Sequence, residues 1–230
     1  MKRILLLTAV VVLTTLAGCN KKKNEPSGNE DKPKVDWTKS DNFILVELRE
    51  AASTLGSDIA GLASFEEDGW EVSAEGSYIH LEKTINKVDV VMNCYFNEDK
   101  TVFHTTCALD PTVKGNPIEK LSTVKESVEI LSSQFTLPTS DVCDFRLMRY
   151  KKITSDSYKT LTSFDESLAK IENEEYNYTF IWADQAAPDF DDYTDGLLVL
   201  GTMSGLEMSF AKKSDDGYII TLDVTSKKYN

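Results

Sequence analysis

Short runs of alternating apolar and polar residues constrain the fold of this chain more than any other feature. KVDVVMNCYF and TVFHTTCAL are two such runs, and the residues NEDK between them predict a β-hairpin. In the simplest register Phe96 faces Thr101, which places Cys94 opposite Phe103 and Cys107 opposite Val90. Similar runs predict strands over residues 69–74, 78–84, 88–96, 101–109, 142–151, 176–183, 197–203, 206–212 and 218–226.

Three segments have helical periodicity instead. Asp41 is a candidate cap for a helix over residues 42–55, and Asn116-Pro117 begins a second whose apolar face extends to Phe135. Ser163 opens a capping box for a third. Because helices mix with hairpins rather than alternating singly with strands, the pattern predicts an α+β fold with about three helices and largely antiparallel sheet.

An internal repeat is a further hypothesis. GSYIHLEK at 76–83 aligns with GLEMSFAK at 205–212, so that Lys83 matches Lys212. One interpretation is two tandem helix-plus-β-meander halves, 41–136 and 137–230, an arrangement similar to that of some secreted inhibitor and binding proteins. The other is that amphipathic hairpins share a period of two residues for purely physical reasons.

The N-terminus has the features of an export signal. A basic start, MKR, precedes an apolar run too short to span a bilayer comfortably, and the run ends in Leu16-Ala17-Gly18-Cys19. This ending resembles the lipobox of bacterial lipoproteins. The resemblance implies a cleaved signal peptide over 1–18, a diacylglycerol on Cys19, and an added acyl chain such as palmitate, since several chains anchor stably where one does not.

Residues 19–40 follow as a lipidated cysteine and a flexible tether. Residues 20–36 carry five lysines against four acidic residues and one large apolar residue, Val35, so they cannot bury enough surface to fold. Residues 37–230 carry 18 basic and 34 acidic residues, which argues against a nucleic-acid partner.

Asn20, rather than Asp, follows the cysteine, which favours the outer membrane. The lysines next to it favour the periplasmic face, and the remainder resembles only uncharacterised envelope lipoproteins of Gram-negative bacteria.

The sequence shows little sign of a catalytic centre. The two histidines stand apart from any nucleophile motif, and the alternation around His80 predicts that it faces solvent with Tyr78 and Glu82. In the predicted hairpin register Cys94 and Cys107 lie roughly 13 Å apart, too far for a disulfide, and small buried residues are the simplest interpretation of the cysteines. With so many acids in the body, a hydrolase that uses a carboxylate pair stays open as the alternative to a binding or assembly protein.

Two features are candidates for binding. Tyr176, Tyr178 and Trp182 share one face of a strand and, with Trp70 and Tyr193, offer rings to a glycan or protein. Ordinary strand packing, with these rings on the core face, explains the same pattern and is the favoured interpretation. The acidic stretch APDFDDYTDG could hold calcium, although it does not fit the EF-hand spacing; a solvated turn or a recognition edge for a basic partner is the alternative. Its candidate ligands are Asp189, Asp191, Asp192 and Asp195.

Overall fold

The computed structural model describes residues 36–132, 134–185, 203–213 and 215–229. Within them the predicted α+β class and antiparallel pairing are confirmed, with ten strands in one sheet. The helices are α1 (Phe43–Ser53), α2 (Ile59–Ala63), α3 (Leu121–Leu131) and α4 (Phe164–Lys170). The strands are β1 (Glu71–Glu75), β2 (Tyr78–Ile85), β3 (Val88–Phe96), β4 (Val102–Pro111), β5 (Gln134–Thr136), β6 (Val142–Lys152), β7 (Lys159–Leu161), β8 (Tyr176–Ala183), β9 (Gly205–Lys213) and β10 (Gly217–Thr225).

The strand order shows how the sheet is assembled. β1 to β4 form a meander, β4 then pairs with β10, and β9, β8, β6 and β5 follow outward. The short strand β7 pairs with part of β6. The two central strands are therefore the last of an N-terminal group, β1–β4, and the last of a C-terminal group, β6 and β8–β10.

The structure has four helices in these ranges rather than about three, because the short α2 has no clear periodicity. α1 is capped by Asn42, not Asp41: the Asn42 side chain accepts a hydrogen bond from the Ile44 amide at 3.1 Å. The Ser163 cap is confirmed, with its hydroxyl accepting from the Glu166 amide at 3.4 Å.

The second predicted helix is shorter at both ends. α3 begins at Leu121, since Asn116 instead caps a turn by accepting from the Ile118 amide at 2.9 Å. It ends before Ser132, whose φ of 52° is incompatible with a continuing helix. Phe135 consequently lies in strand β5 and packs into the core, and was wrongly assigned to the helix face.

The predicted hairpin register is also wrong. Cys94 pairs with Thr105, and Cys107 pairs with Met92. The turn shifts the register by one residue, because Asn97 rather than Phe96 bonds to Thr101. A bulge between Tyr95 and Phe96 adds the second residue of shift. The strand predicted over 197–203 lies outside the described residues except for Met203.

The helices contact one face of the sheet, and this face forms the core. In the N-terminal strands the inward side chains are mostly aliphatic; they include Ile79, Leu81, Val88, Val90, Met92 and Leu109. In the C-terminal strands they are mostly aromatic; they include Tyr178, Phe180, Trp182, Phe210 and Tyr218. The ring planes of Phe180 and Trp182 stack with centroids 5.9 Å apart.

Candidate functional site: the open face of the sheet

The candidate functional surface is the side of the sheet that faces away from α1, α3 and α4, called here the open face. The contacts of these helices involve inward residues: Glu47 of α1 reaches Lys83, Ser132 after α3 accepts from Trp182, and Tyr178 donates to Lys170 of α4. The outward side chains of the sheet are mostly half-buried or exposed. Among the exceptions are Leu147 of β6 and Ile181 of β8, which are buried on this side.

A row of three rings crosses the open face of the N-terminal strands. Tyr78, Tyr95 and His104 lie directly opposite one another on β2, β3 and β4. The ring centroids of Tyr78 and Tyr95 are 5.3 Å apart, and those of Tyr95 and His104 are 5.1 Å apart with planes 17° from parallel. Packing fixes these rings, so they form a rigid apolar strip with polar ends.

Hydrogen bonds connect the next row of outward side chains on β2, β3 and β4, which consists of His80, Asn93 and Thr106. His80 Nδ1 lies 2.9 Å from Asn93 Oδ1, and Asn93 Nδ2 donates to Thr106 Oγ1 at 3.4 Å. The hydrogen bond to Asn93 and the nearby carboxylate of Glu82 raise the pKa of His80 above its ordinary value. As predicted, His80 shares the outward face with Tyr78 and Glu82, which confirms the assignment from alternation.

The charge on the open face changes sign across the sheet. Lys83 is the one lysine or arginine within β1–β4, and it points inward. The outward residues of these strands include Glu71, Glu75, Glu82, Asp89 and Asp110. At the far end, the outward Arg149 and Lys151 of β6 flank the exposed ring of Tyr158, with Lys151 Nζ 4.7 Å from its centroid.

The predicted ring platform is not on the surface. Trp70 is 3% exposed, Tyr178 1% and Trp182 0%, so all three belong to the core and a ligand in solution cannot contact their faces. This corrects their assignment as contact residues, because β8 directs Tyr178 and Trp182 toward the helices, and Trp70, just before β1, packs in the core under Lys83. Tyr176 is half-buried at the strand end, under Lys170 at 5.5 Å. Tyr193 lies outside the described residues.

The candidate calcium ligands, Asp189, Asp191, Asp192 and Asp195, also lie outside the described residues. The segment that contains them leaves β8 at Asp184 and re-enters at Ser204, whose amide donates to Asp184 Oδ1 at 3.0 Å. Ser204 Oγ also donates to Asp141 at 2.8 Å. Burial raises the pKa of Asp141, but hydrogen bonds from Ser204, Thr139 and Ser226 outweigh it and lower the pKa. No group of three or more potential metal ligands occurs in the part of the chain that the structure describes.

A buried ion pair lies beneath the N-terminal strands. Lys83 Nζ is 3.2 Å from Glu47 Oε2 and 4.0 Å from the centre of the Trp70 ring. The Glu47 side chain is 1% exposed, and burial raises its pKa although Lys83 opposes this shift. Glu47 also lines a cleft of about 480 Å³ beside Asn42, Pro117 and Glu126.

The three cysteines of the described body are free and buried. Burial raises the pKa of Cys94 to about 11 and that of Cys143 to about 12, and it raises the pKa of Cys107 well above its usual range. A thiol must ionise to act as a nucleophile, so none of these three is suited to catalysis. Cys19 lies outside the described residues.

Compared by sequence and by structure, the chain matches no protein-family model, no curated protein and no solved structure. No helix within the described ranges has the length and apolar character needed to cross a membrane.

Proposed function

We propose that this protein is a lipid-anchored, extracytoplasmic binding or assembly protein that contacts a protein or glycan through the open face. The observation that carries the proposal is the extent of this face. Eight strands, from β1 through β4 and β10 to β6, lie side by side in it. At strand spacing of about 4.8 Å and rise of about 3.3 Å per residue, the face measures roughly 34 Å by 25 Å. Leu147 of β6 and Ile181 of β8 are buried on this side, which leaves the six strands from β1 to β9, roughly 24 Å by 25 Å, as the part open to a partner. Each partner in a stable complex typically contributes about 800 Å².

The composition of this face also supports binding. Its rings and hydrogen-bonded rows are held by neighbouring strands, so little side-chain entropy would be lost when a partner docks. An antiparallel sheet can leave one face in water without any function. A merely solvated face, however, does not require a strip of three packed rings, Tyr78, Tyr95 and His104, directed outward.

The anchor is part of the proposal. The lipobox supports cleavage before Cys19 and attachment of lipid to its sulfur, with residues 20–40 as the spacer and the periplasmic side of the outer membrane as the location. Metabolic labelling with an alkyne analogue of palmitate tests this. We expect labelling of the wild type and none of Cys19→Ser, which should also leave the membrane fraction.

Two tandem halves account for the topology. Each contains a helix and four neighbouring antiparallel strands: α1 with β1–β4, and α3 with β6 and β8–β10, the second half having β5, β7 and α4 in addition. This division favours a boundary in residues 112–120 rather than at 136, because α3 precedes the second group of strands. Two modules joined through β4 and β10 explain why the open face is twice as wide as one meander.

A hydrolase with a carboxylate pair is the second candidate, and Glu47 is the observation that favours it. It lines a cleft with Glu126, and a raised pKa suits a general acid. Both carboxyl oxygens of Glu47 are nevertheless shielded from solvent, so a polymer in the cleft would not touch them. Hydrolysis of purified peptidoglycan that Glu47→Gln abolishes would reverse this order of preference.

Photo-crosslinking from intact envelopes tests the binding function. A photoreactive amino acid replaces Ser73, which is exposed on the open face of β1, or Glu172, which is exposed after α4. We expect discrete adducts from position 73 and none from position 172. Absence of adducts from position 73 in the full, membrane-bound chain would contradict the proposed function.

A further inference from the structure

We infer that one edge of the sheet rests on the anionic phospholipid surface of the membrane that holds the lipid at Cys19. This inference depends on the lipid anchor of the proposed function and gives the anchored protein an orientation. The edge consists of β6 together with β5 and β7, which pair along the same side of it. Residues 142–161, from the start of β6 to the end of β7, are called here the basic edge.

The basic edge has the opposite charge from the rest of the body. It carries five lysines and arginines and two aspartates, whereas the other residues of 37–230 carry 13 basic and 32 acidic side chains. Lys151, Lys152 and Lys159 form no ion pair within the part of the chain that the structure describes. Their charge is therefore available to an anionic surface, where each cation strengthens membrane attachment.

Apolar side chains are exposed among these cations. Val142, Ile153 and Tyr158 are 50%, 53% and 51% exposed, and they make up half of the six large hydrophobic residues exposed in the described ranges. Lys151 Nζ lies 4.7 Å from the centroid of the Tyr158 ring. Tyrosine beside lysine is typical of a membrane surface, where the ring enters the headgroup region and the ammonium group contacts phosphates. Lysines also protect free sheet edges from pairing, but exposed apolar residues would promote the pairing that such lysines prevent.

The chain enters the fold at the same edge. The described body begins at Asp36, and Trp37 packs against Phe135 of β5 with ring centroids 5.0 Å apart. Trp37 Nε1 also donates to the Thr136 carbonyl at 3.1 Å, and β5 pairs with the start of β6. The spacer to Cys19 therefore connects beside the basic edge. A surface tethered so close to the bilayer needs only weak attraction to dock, because tethering raises its effective concentration.

Charge and position favour the bilayer over a soluble partner. Two carboxylates lie on the edge itself: Asp144 pairs with Arg146 at 3.4 Å, and Asp156 is exposed in the turn between β6 and β7. The edge keeps a net charge of +3. An acidic soluble protein would be repelled by the rest of the body, whereas the lipid anchor already brings a bilayer to this edge. An edge-on contact also leaves the open face clear of the bilayer and accessible to its partner.

The test measures the surroundings of the edge in the full lipidated chain, reconstituted into vesicles. Ile153→Cys carries an environment-sensitive fluorophore, and Ile59→Cys, at a position that is 54% exposed on α2 outside the edge, is the matched control. The described native cysteines are buried, so the introduced thiol can be labelled selectively. On vesicles that contain phosphatidylglycerol and a nitroxide-labelled phospholipid, we expect quenching at position 153 and none at position 59. On vesicles of phosphatidylcholine with the same nitroxide lipid, we expect both labels to stay in water.

Matched charge variants test the attraction itself. Lys152→Gln/Lys159→Gln removes two exposed charges from the basic edge, and Lys114→Gln/Lys120→Gln removes two exposed charges elsewhere. We expect the first variant to lower the ratio of docked to undocked chains by about tenfold and the second to leave it unchanged. Added salt should act as the first variant does, because it screens the same attraction.

The outcomes separate this inference from the proposed function. The docking would be overturned by a label at 153 that stays unquenched on the anionic vesicles, by equal quenching at 59 and 153, or by quenching that survives Lys152→Gln/Lys159→Gln. A fluorescence change at 153 with dissolved dextran sulfate, but not with anionic vesicles, would assign the edge to a soluble polyanion instead. The proposed function fails separately, if the wild type takes no palmitate label or if position 73 gives no adduct.

Discussion

Lys83 and Lys212 make the same kind of contact in two parts of the sheet, but only the first is sealed from water. Lys83 bonds to Glu47 at 3.2 Å and covers Trp70 at 4.0 Å. Lys212 bonds to Glu174 at 3.3 Å and covers Tyr218 at 4.8 Å. The side chain of Glu47 is 1% exposed, whereas that of Glu174 is 58% exposed.

The difference reflects how each group of strands fills the space between the sheet and the helices. The N-terminal strands have an aliphatic inner face, which α1 covers. The buried carboxylate of Glu47 on α1 pairs with the inward Lys83. The C-terminal strands fill the equivalent space with rings, and their lysine lies at the margin where water solvates its partner. The N-terminal strands thus direct their one lysine inward, which leaves no lysine or arginine of their own on their open face.

The largest effect should come from the aromatic core. Trp182→Ala removes a fully buried ring and the hydrogen bond from its Nε1 to the Ser132 carbonyl at 2.9 Å. We expect a loss of about 3–5 kcal/mol in the free energy of unfolding, measured by urea denaturation. Leu81→Ala in the aliphatic core should cost less, about 2–3 kcal/mol. Equal or reversed costs would contradict the distinction between the two cores.

The two lysines provide the next test. Lys83→Met leaves Glu47 buried without its cation and should cost about 3 kcal/mol at pH 8, whereas Lys212→Met should cost less than about 1 kcal/mol because Glu174 is solvated. The loss for Lys83→Met should shrink at pH 5. Burial raises the pKa of Glu47, so its protonated carboxyl stabilises the fold fully below the ordinary pKa of a glutamate. This stabilisation is lost as the pH rises through the raised pKa. A loss that is the same at both pH values would show that Lys83 does not affect the ionisation of Glu47.

His80 gives a smaller effect, confined to the open face. Its pKa is raised by the hydrogen bond to Asn93 and by Glu82, so the protonated ring stabilises the fold. This contribution is complete below a pH of about 6.5 and disappears as the pH rises through the raised pKa. We expect the wild type to lose less than about 1 kcal/mol relative to His80→Gln over that interval, since the ring is partly solvated. A difference of the opposite sign would exclude this role for His80.

The smallest effect on stability involves the opposed glutamates of β1 and β2. Glu71→Gln/Glu82→Gln removes a repulsion between opposed carboxylates and should raise the free energy of unfolding by up to about 0.5 kcal/mol. The control Glu66→Gln/Glu67→Gln, which removes the same charge from exposed residues outside the open face, should be neutral. A double variant that is destabilised would show that the contact between Glu82 and His80 at 3.3 Å outweighs the repulsion between the two glutamates.

Local signals in the sequence predicted much of the fold. Alternation identified β2, β3, β6, β8, β9 and β10 closely, and the Ser163 cap marked α4. Register was not predictable, because the extra shift at Tyr95 comes from a bulge that no local pattern marks. The alignment of Lys83 with Lys212 matched two lysines that make similar contacts. It also matched β2 with β9. In the sheet, however, β6, β8, β9 and β10 mirror β1 to β4 about the centre, so the counterpart of β2 is β8.

The site was harder to predict than the fold. A row of rings on a strand looks the same in sequence whether it faces solvent or helices. Burial of Trp70, Tyr178 and Trp182 confirms the core-packing interpretation and excludes them as contact residues. The signal for the open face was present in part, since His80 was assigned outward with Tyr78 and Glu82. The opposition of Glu71 and Glu82 depends on pairing between β1 and β2, which the sequence does not state.

Solvent accessibility of the open face in its native membrane tests the central claim most directly. Because the three described native cysteines are buried, a single cysteine introduced as Thr84→Cys or Glu172→Cys can be labelled selectively with a membrane-permeant maleimide. We expect Thr84→Cys to react slowly in intact envelopes and rapidly in the purified full chain, and Glu172→Cys to react rapidly in both. Equal, rapid labelling of both positions in envelopes would show that nothing covers the open face and would contradict its role in binding.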